Sequence, residues 1–438
     1  MKKHITAAAG AILLGAGAAQ AQTADALLDK LVDKGILTVK EANELREQSD
    51  KGFTQAFQVK TGMPDWVNGF KFGGDFRGRY EGFFSDNPTA VDRNRFQYRV
   101  RFGAVVSMLD NMEVGIRLAS IGDTAGNQIS SNQTFDNNAS KKGLSLDMVY
   151  AKWAPVDNAD WGATFTLGKM ENPLVISSAF IDQDYTPEGF AEQFVYHLNP
   201  QHDLKLNLGQ FVLEERGASS MDSFMLAAQV RWDANWNPKW QTSMGAGILS
   251  IGAKDTLTAA NGQLNIGEGN NRVGGLAANP PESGFNPIFA DVSLTYNLEK
   301  APLYSGAFPI RLGVDFLHNP AADSHNQAYS GKLTFGKAGK KKTWEMSYEY
   351  RVVQADSIYE ELPESDFNAF TQTARTTGGV GGFVNGTNIR GHILKAGYSP
   401  FDSLTFFVTY WITENIVPNP AGSVSEASRL QVDAVWKF

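Results

Sequence analysis

Apolar and polar residues alternate along this chain in one short segment after another, and that repetition constrains the fold more than any other feature. "RFQYRVRFGAVVSM" from Arg95 puts Phe96, Tyr98, Val100, Phe102, Ala104 and Val106 on one side, and Gln97, Arg99 and Arg101 on the other. "MEVGIRLAS", "WEMSYEYRVV" and "LTFFVTYWIT" repeat the pattern. Period 2 is the signature of a strand with two unlike faces. Sixteen candidate strands follow, centred near Phe72, Val100, Ile116, Met148, Phe165, Phe194, Leu206, Ala228, Met244, Val292, Leu312, Leu333, Tyr348, Leu394, Val408 and Val432. A soluble sandwich also alternates, but its apolar face covers a finite core. This many strands of about ten residues match a transmembrane barrel better.

The connections test this independently. Short ones are expected near Asp110, Asp157, Gln201, Asn235, Lys300, Gly339 and Phe401, and long ones include 121–142, 170–189, 250–287 and 352–388. They alternate along the chain, as an even-stranded outer-membrane barrel with periplasmic turns and external loops requires. Trp66, Trp153, Trp161, Trp232, Trp236, Trp240, Trp344 and Trp436 fall near the short-turn ends, and Trp411 near a long-loop end. Girdle aromatics sort in this way.

The two ends fit an exported membrane protein. "MKKHITAAAGAILLGAGAAQA" has Lys2 and Lys3, an apolar run and a small-x-small site, so a signal peptide over 1–21 is expected. The formal charge of −8 becomes −10 once those two lysines are removed, which argues against nucleic acid as a partner. There is no cysteine, hence no disulfide framework. The final "LQVDAVWKF" alternates up to Phe438. Its strand is expected to pair with the first, with Trp436 and Phe438 as the assembly anchor. A terminal strand ending in phenylalanine resembles the signal read by the barrel-assembly machinery of the outer membrane.

Residues 22–51 read differently. Leu27, Leu28, Leu31 and Val32 form a helical stripe, Gly35 suits a helix end, and Thr38 with Glu41 is a capping box. A short periplasmic helical hairpin is expected here, then a linker over 52–68 and an all-β transmembrane antiparallel barrel over 69–438. Both a contact with the cell wall, another subunit or the pore mouth, and a leader with no separate role, fit the hairpin.

"FGGDFRGRYEGFF", "RNRFQYRVRFGA" and "GKMENPLVISSAFIDQDYTPEGFAEQF" resemble the putative porin family of the bacterial outer membrane. The resemblance covers most of the chain after residue 21 and implies a diffusion barrel without naming a solute.

The candidate site is the lumen. Inward parity on the first three strands gives Lys71, Asp75, Arg77, Arg79, Arg95, Arg99, Arg101 and Arg117. A barrel of sixteen strands leaves an aqueous channel that can solvate them. An arginine wall attracts anions, and arginines paired with loop carboxylates would be an ordinary lining. The carboxylates expected at a constriction are Glu171, Asp182, Asp184 and Glu188, in a loop whose apolar middle, Leu174 to Ile181, suggests that it folds inward. Asp291, Asp315, Glu345 and Glu349 also have inward parity and could extend the acidic side.

Catalytic and metal signals are poor. His197 and His202 flank a turn, His318 and His325 share a loop, and no G-x-S-x-G occurs. No cofactor, metal or enzymatic activity is expected. The expected function is passive diffusion of small hydrophilic solutes and ions. The alternatives are an anion-preferring, solute-selective channel and a structural or adhesive protein with a plugged barrel. Expected partners are outer-membrane lipid and lipopolysaccharide, the assembly machinery and, by analogy of fold, two further copies in a homotrimer.

Overall fold

A computed structural model describes residues 64–121, 129–217, 220–258, 267–276, 279–373 and 381–438. The expected signal peptide and helical hairpin lie outside the described residues, as does the linker up to residue 63. Among the described residues, sixteen long strands form one antiparallel barrel sheet, to which the two-residue strand Gln133–Thr134 is added beside Gln97 and Tyr98. They are β1 (Val67–Phe84), β2 (Arg93–Met108), β3 (Met112–Ser120), β4 (Leu144–Asp157), β5 (Trp161–Lys169), β6 (Glu188–Asn199), β7 (His202–Glu214) and β8 (Ser223–Asn235). The second half holds β9 (Trp240–Gly252), β10 (Ile288–Leu298), β11 (Phe308–His318), β12 (Gln327–Gly336), β13 (Thr343–Val353), β14 (Ile389–Phe401), β15 (Leu404–Asn415) and β16 (Ala427–Lys437). Every expected strand centre, from Phe72 to Val432, falls inside one of them. The barrel unit comprises Lys71–Val105 and Asp110–Phe438. The described residues 64–70 and Val106–Leu109 belong to a second unit, in which the Leu109 N–H donates to the Trp66 carbonyl at 2.9 Å.

Burial follows the alternation, inverted relative to a soluble protein. On the outer face Phe72, Phe96, Leu167 and Val230 are 57–61% exposed, whereas Glu81 is 0%, Gln229 1% and Arg231 4% exposed on the inner face. An apolar exterior facing lipid, around a polar interior, gives this inversion. Rings pair on the outer face near the short turns: Trp161 with Tyr196 at 4.4 Å, Trp240 with Tyr296 at 4.6 Å and Phe308 with Trp344 at 4.8 Å between centroids. Trp411 is different. It has inward parity, is buried, and packs with Phe367, Ala369 and Ile389, so it is no girdle residue.

The seam joins β1 to β16 in register from Asp75 opposite Lys437 to Phe84 opposite Ser428. Phe438 extends it. Its N–H donates to the Gly74 carbonyl at 3.1 Å, and the Gly74 N–H donates to the Phe438 carbonyl at 2.9 Å. The Phe438 ring lies 6.5 Å from Phe72, and Phe76 lies 5.6 Å from Trp436. Only glycine fits at 74, because a Cβ there would come within 2.2 Å of the Arg101 carbonyl oxygen and 2.8 Å of the Phe438 ring.

Replacing Phe438 by alanine keeps both backbone hydrogen bonds and removes the ring. We expect a barrel that still closes but loses on the order of 1 kcal/mol, part of a phenylalanine burial. Unfolding in detergent, followed by heat-dependent gel mobility, checks this. An unchanged midpoint would show that the ring contact contributes nothing to the seam.

Candidate functional site

The inner wall at the seam is built by parity. On β1, alternation turns Asp75, Arg77, Arg79 and Glu81 inward; on β2 it turns Arg95, Gln97, Arg99 and Arg101 inward. The segment between β5 and β6 reaches this wall from the far side of the barrel. Its apolar middle is what carries it inward. Met170, Leu174, Ala179, Phe180 and Ile181 are 0–6% exposed and pack with inward residues such as Phe211, Met225, Leu249, Phe289 and Val353. Removing each large apolar side chain from water contributes about 1.5–3 kcal/mol. Polar contacts then fix the path. Gln229 brackets Val175, accepting from its N–H at 3.0 Å and donating to its carbonyl at 2.6 Å. On the opposite side, Arg351 donates to the Ser178 hydroxyl at 2.7 Å.

At its far end the segment delivers Asp184 between two arginines. Asp184 pairs with Arg99 and with Arg101 at 3.0 Å each. Asp75 pairs with the same two at 3.0 and 2.9 Å. Two guanidinium groups and two carboxylates thus form a closed square. Arg79 grips Asp433 of β16 through two bonds of 2.7 and 2.9 Å, and reaches Asp366 at 3.1 Å. Arg429 of β16 bridges Asp366, at 2.7 Å, and Glu81, which also binds Arg95. Arg77 meets the Asn132 amide oxygen, and Arg117 pairs with Asp147 on β4, apart from the others.

The four expected loop acids therefore separate. Asp184 joins the arginines. Asp182 is buried and serves the backbone, accepting from the Asp184 N–H at 2.8 Å and the Ser365 N–H at 3.0 Å. Glu188 opens β6 and pairs with Lys169 at 3.0 Å, its side chain 66% exposed. Glu171 is exposed at the start of the segment. On the far wall, Asp291 pairs with Arg231 at 2.7 Å, Glu349 with Arg351 at 2.6 Å and Glu345 with Lys395 at 3.1 Å, so these acids arrive with their own cations. Asp315 instead accepts from the Ser330 hydroxyl at 2.6 Å.

Parity reasoning had reached most of the wall but not Arg429 and Asp366. Arg429 was legible, since it shares the inward parity of Gln431 and Asp433. Asp366 was not. It sits in a second folded-in segment, 354–368, where Ile358, Tyr359 and Leu362 join the same buried cluster. The two segments clasp through backbone: the Asp182 N–H donates to the Leu362 carbonyl at 2.6 Å, and the Glu364 N–H to the Ser178 carbonyl at 3.1 Å.

This clasp crowds carboxylates. Burial, aided by the charges of Asp184 and Asp366, pushes the Asp182 carboxyl up to about 6. Burial also raises Glu364 well above the usual carboxylate range, with Asp182 adding to it. For Asp184 burial acts upward too, but Arg99, Arg101 and Arg77 together outweigh it and hold the group down. Asp366 is held far down by Arg429 and Arg79 against its own burial. Among the described residues, no group of three or more His, Asp or Glu side chains is placed to hold a metal.

A family model described as putative porin matches residues 86–252. No curated protein sequence matches the chain. Among solved structures, the high-pH form of OprB from Pseudomonas putida is 12% identical, with a TM-score of 0.54, covering 89% of this chain and 97% of that one. OmpT of Vibrio cholerae lacking loop L8 is 11% identical, with a TM-score of 0.45, covering 84% and 99%. The first of these likenesses supports the barrel fold.

Protonation of Asp182 should stabilise the clasp. Its pKa is about 6 when docked, against an ordinary 3.8 when released. The docked state thus gains on acidification: the advantage is fully present below pH 3.8 and is lost as pH rises through about 6, and amounts to about 3 kcal/mol. Limited proteolysis of the 170–187 segment should therefore slow between pH 7.5 and 5. Asp182→Asn should be slow at both values, and a wild-type rate that does not change with pH would contradict the assignment. By contrast, Phe180→Ala should speed cleavage at every pH, since truncating a buried phenylalanine costs about 3–5 kcal/mol. The barrel, its inward-folded loop and the match over residues 86–252 make the chain similar to the putative porin family.

Proposed function

We propose that the chain is a passive diffusion channel for small hydrophilic solutes, whose narrowest passage is bordered by the arginine wall of β1, β2 and β16 together with the folded-in segment whose Asp184 docks on that wall. The observation that supports this reading is the square of Asp75, Arg99, Asp184 and Arg101, in which a loop acid carried into the barrel meets the wall arginines at 3.0 Å. Charges of both signs along one border of a narrow passage set a local field, which orients dipolar solutes. They also leave little net charge at the square itself, so ion preference comes from groups outside it, such as Arg77, which donates to the Asn132 amide oxygen. No covalent step is involved. Passage is driven by the solute's own gradient.

A second reading is favoured by the apolar cluster inside the barrel, which joins both folded-in segments to the wall. Such packing would suit a plugged, structural barrel. Conductance separates the two. Purified protein in a planar bilayer should show discrete ohmic steps on the diffusion reading and none on the plugged one.

The double change Arg99→Gln with Arg101→Gln should release Asp75 and Asp184 together. The reversal potential in a salt gradient should then move toward cations. The shift should be largest in dilute salt and shrink once the screening length falls below about 10 Å. Asp184→Asn should move it the opposite way. A reversal potential unmoved at low salt in both variants would remove the square from the conducting path.

A further inference from the structure

A second feature of the same lumen has the makings of a solute site. A cavity of about 250 Å³ lies at the long-loop end of the arginine wall, bordered by Arg93, Arg95, Gln97, Asn368, Phe383 and Arg429, among other side chains. Pockets for drug-sized ligands run from about 300 Å³ upward, so this one suits a molecule of monosaccharide size. Its charge is unbalanced in a specific way. Arg79, Arg95 and Arg429 are matched by three carboxylates, Glu81, Asp366 and Asp433. Arg93, at the start of β2, is exposed and stands outside this network, with no ion-pair partner among the described residues. One positive charge is left over at the rim.

The rest of the lining is amide and hydroxyl. The amide nitrogen of Gln97 donates to the Thr134 hydroxyl at 3.2 Å, and that of Asn368 to the Asp366 carbonyl at 3.4 Å. Their amide oxygens, Gln97 Oε1 and Asn368 Oδ1, are buried without a hydrogen-bond partner among the described residues. An unmet buried acceptor costs free energy, and a donor brought to it recovers that cost. Arg95 and Arg429 both stack on Phe83, at 5.2 and 4.7 Å, which holds the two guanidinium groups in place.

From this geometry we infer that the cavity is a binding site for a small hydroxylated monocarboxylate, a hydroxy acid or sugar acid. The carboxylate is held by Arg93 at the rim, and the hydroxyls draw the side-chain amides of Gln97 and Asn368, both in the lining, to turn their unmet oxygens toward the cavity. Arginine suits this role because its planar fork matches a carboxylate at two points. The inference deepens the proposed function by naming a class of solute, but its test does not depend on conduction.

Gluconate is the probe, with glucose and acetate as controls. Titration calorimetry on the full chain in detergent should show saturable gluconate binding at least about tenfold tighter than either control, since glucose lacks the charge and acetate the hydroxyls. Arg93→Gln should weaken gluconate binding about tenfold and leave the weak response to glucose as it was. Arg93→Lys should restore part of the affinity. Arg93 lies outside the ion-pair network, so both variants should fold, which heat-dependent gel mobility verifies. Gluconate binding no tighter than glucose, or unaffected by Arg93→Gln, would overturn the site. A barrel that binds gluconate but passes no current would keep the site and remove the diffusion reading. Current without gluconate binding would do the reverse.

Discussion

Lipid offers no hydrogen-bond partner to a backbone amide, and the rest of this structure depends on that fact. Each strand must find its N–H and C=O partners on its neighbours, and the last strand must find the first. The pairing of β1 with β16, extended by the reciprocal bonds of Gly74 and Phe438, meets this demand at the seam. Closure then fixes which side of every strand faces water. Once Phe72, Phe96 and Val432 face outward, Asp75, Arg99 and Asp433 have nowhere to go but in. The crowding of charge in the lumen follows from the alternation itself.

That crowding has an energetic cost which the ion pairs mostly offset rather than exceed. Taking a guanidinium from water costs several kcal/mol, and a single carboxylate rarely repays it in full. The lumen answers with shared partners. Asp75 and Asp184 each serve two arginines, Glu81 serves Arg95 and Arg429, and Asp366 serves Arg79 and Arg429. The value of such a network is therefore positional. It holds long, flexible side chains against the wall, so that the remaining space has a defined shape and sign.

The fold was legible because strand parity is local: each strand declares its two faces in about ten residues, and the turns between them are marked by polar runs. The wall arginines came with it, since Arg77, Arg79, Arg99 and Arg101 needed only the right register. What could not be read was the set of partners. Asp366 lies in a loop of no fixed period, and its meeting with Arg79 joins positions 287 residues apart. Glu188 has the same charge as Asp184 and lies four residues away, yet it faces Lys169 because β6 has already begun. Trp411 reads as one more girdle residue by its place near a strand end, but its parity puts it inside, under Arg429. In each case parity was decisive where a strand existed, and sequence distance misled where one did not.

The two kinds of interaction in the lumen divide the work between them. Apolar burial places the 170–187 segment, with Leu174, Phe180 and Ile181 in the buried cluster. The carboxylates then determine what the placed segment presents to the wall. Asp184 is held charged by three arginines, whereas Asp182, two residues earlier, is pushed toward neutrality by burial. A short stretch of chain thus carries one acid held charged and another pushed toward neutrality, with the difference made by their surroundings. Because packing contributes most of the segment's position, exchanging a single carboxylate or guanidinium changes the charge that the segment presents more than it changes where the segment lies. Losing the apolar anchor would do the reverse, leaving every charge present and none of them in place.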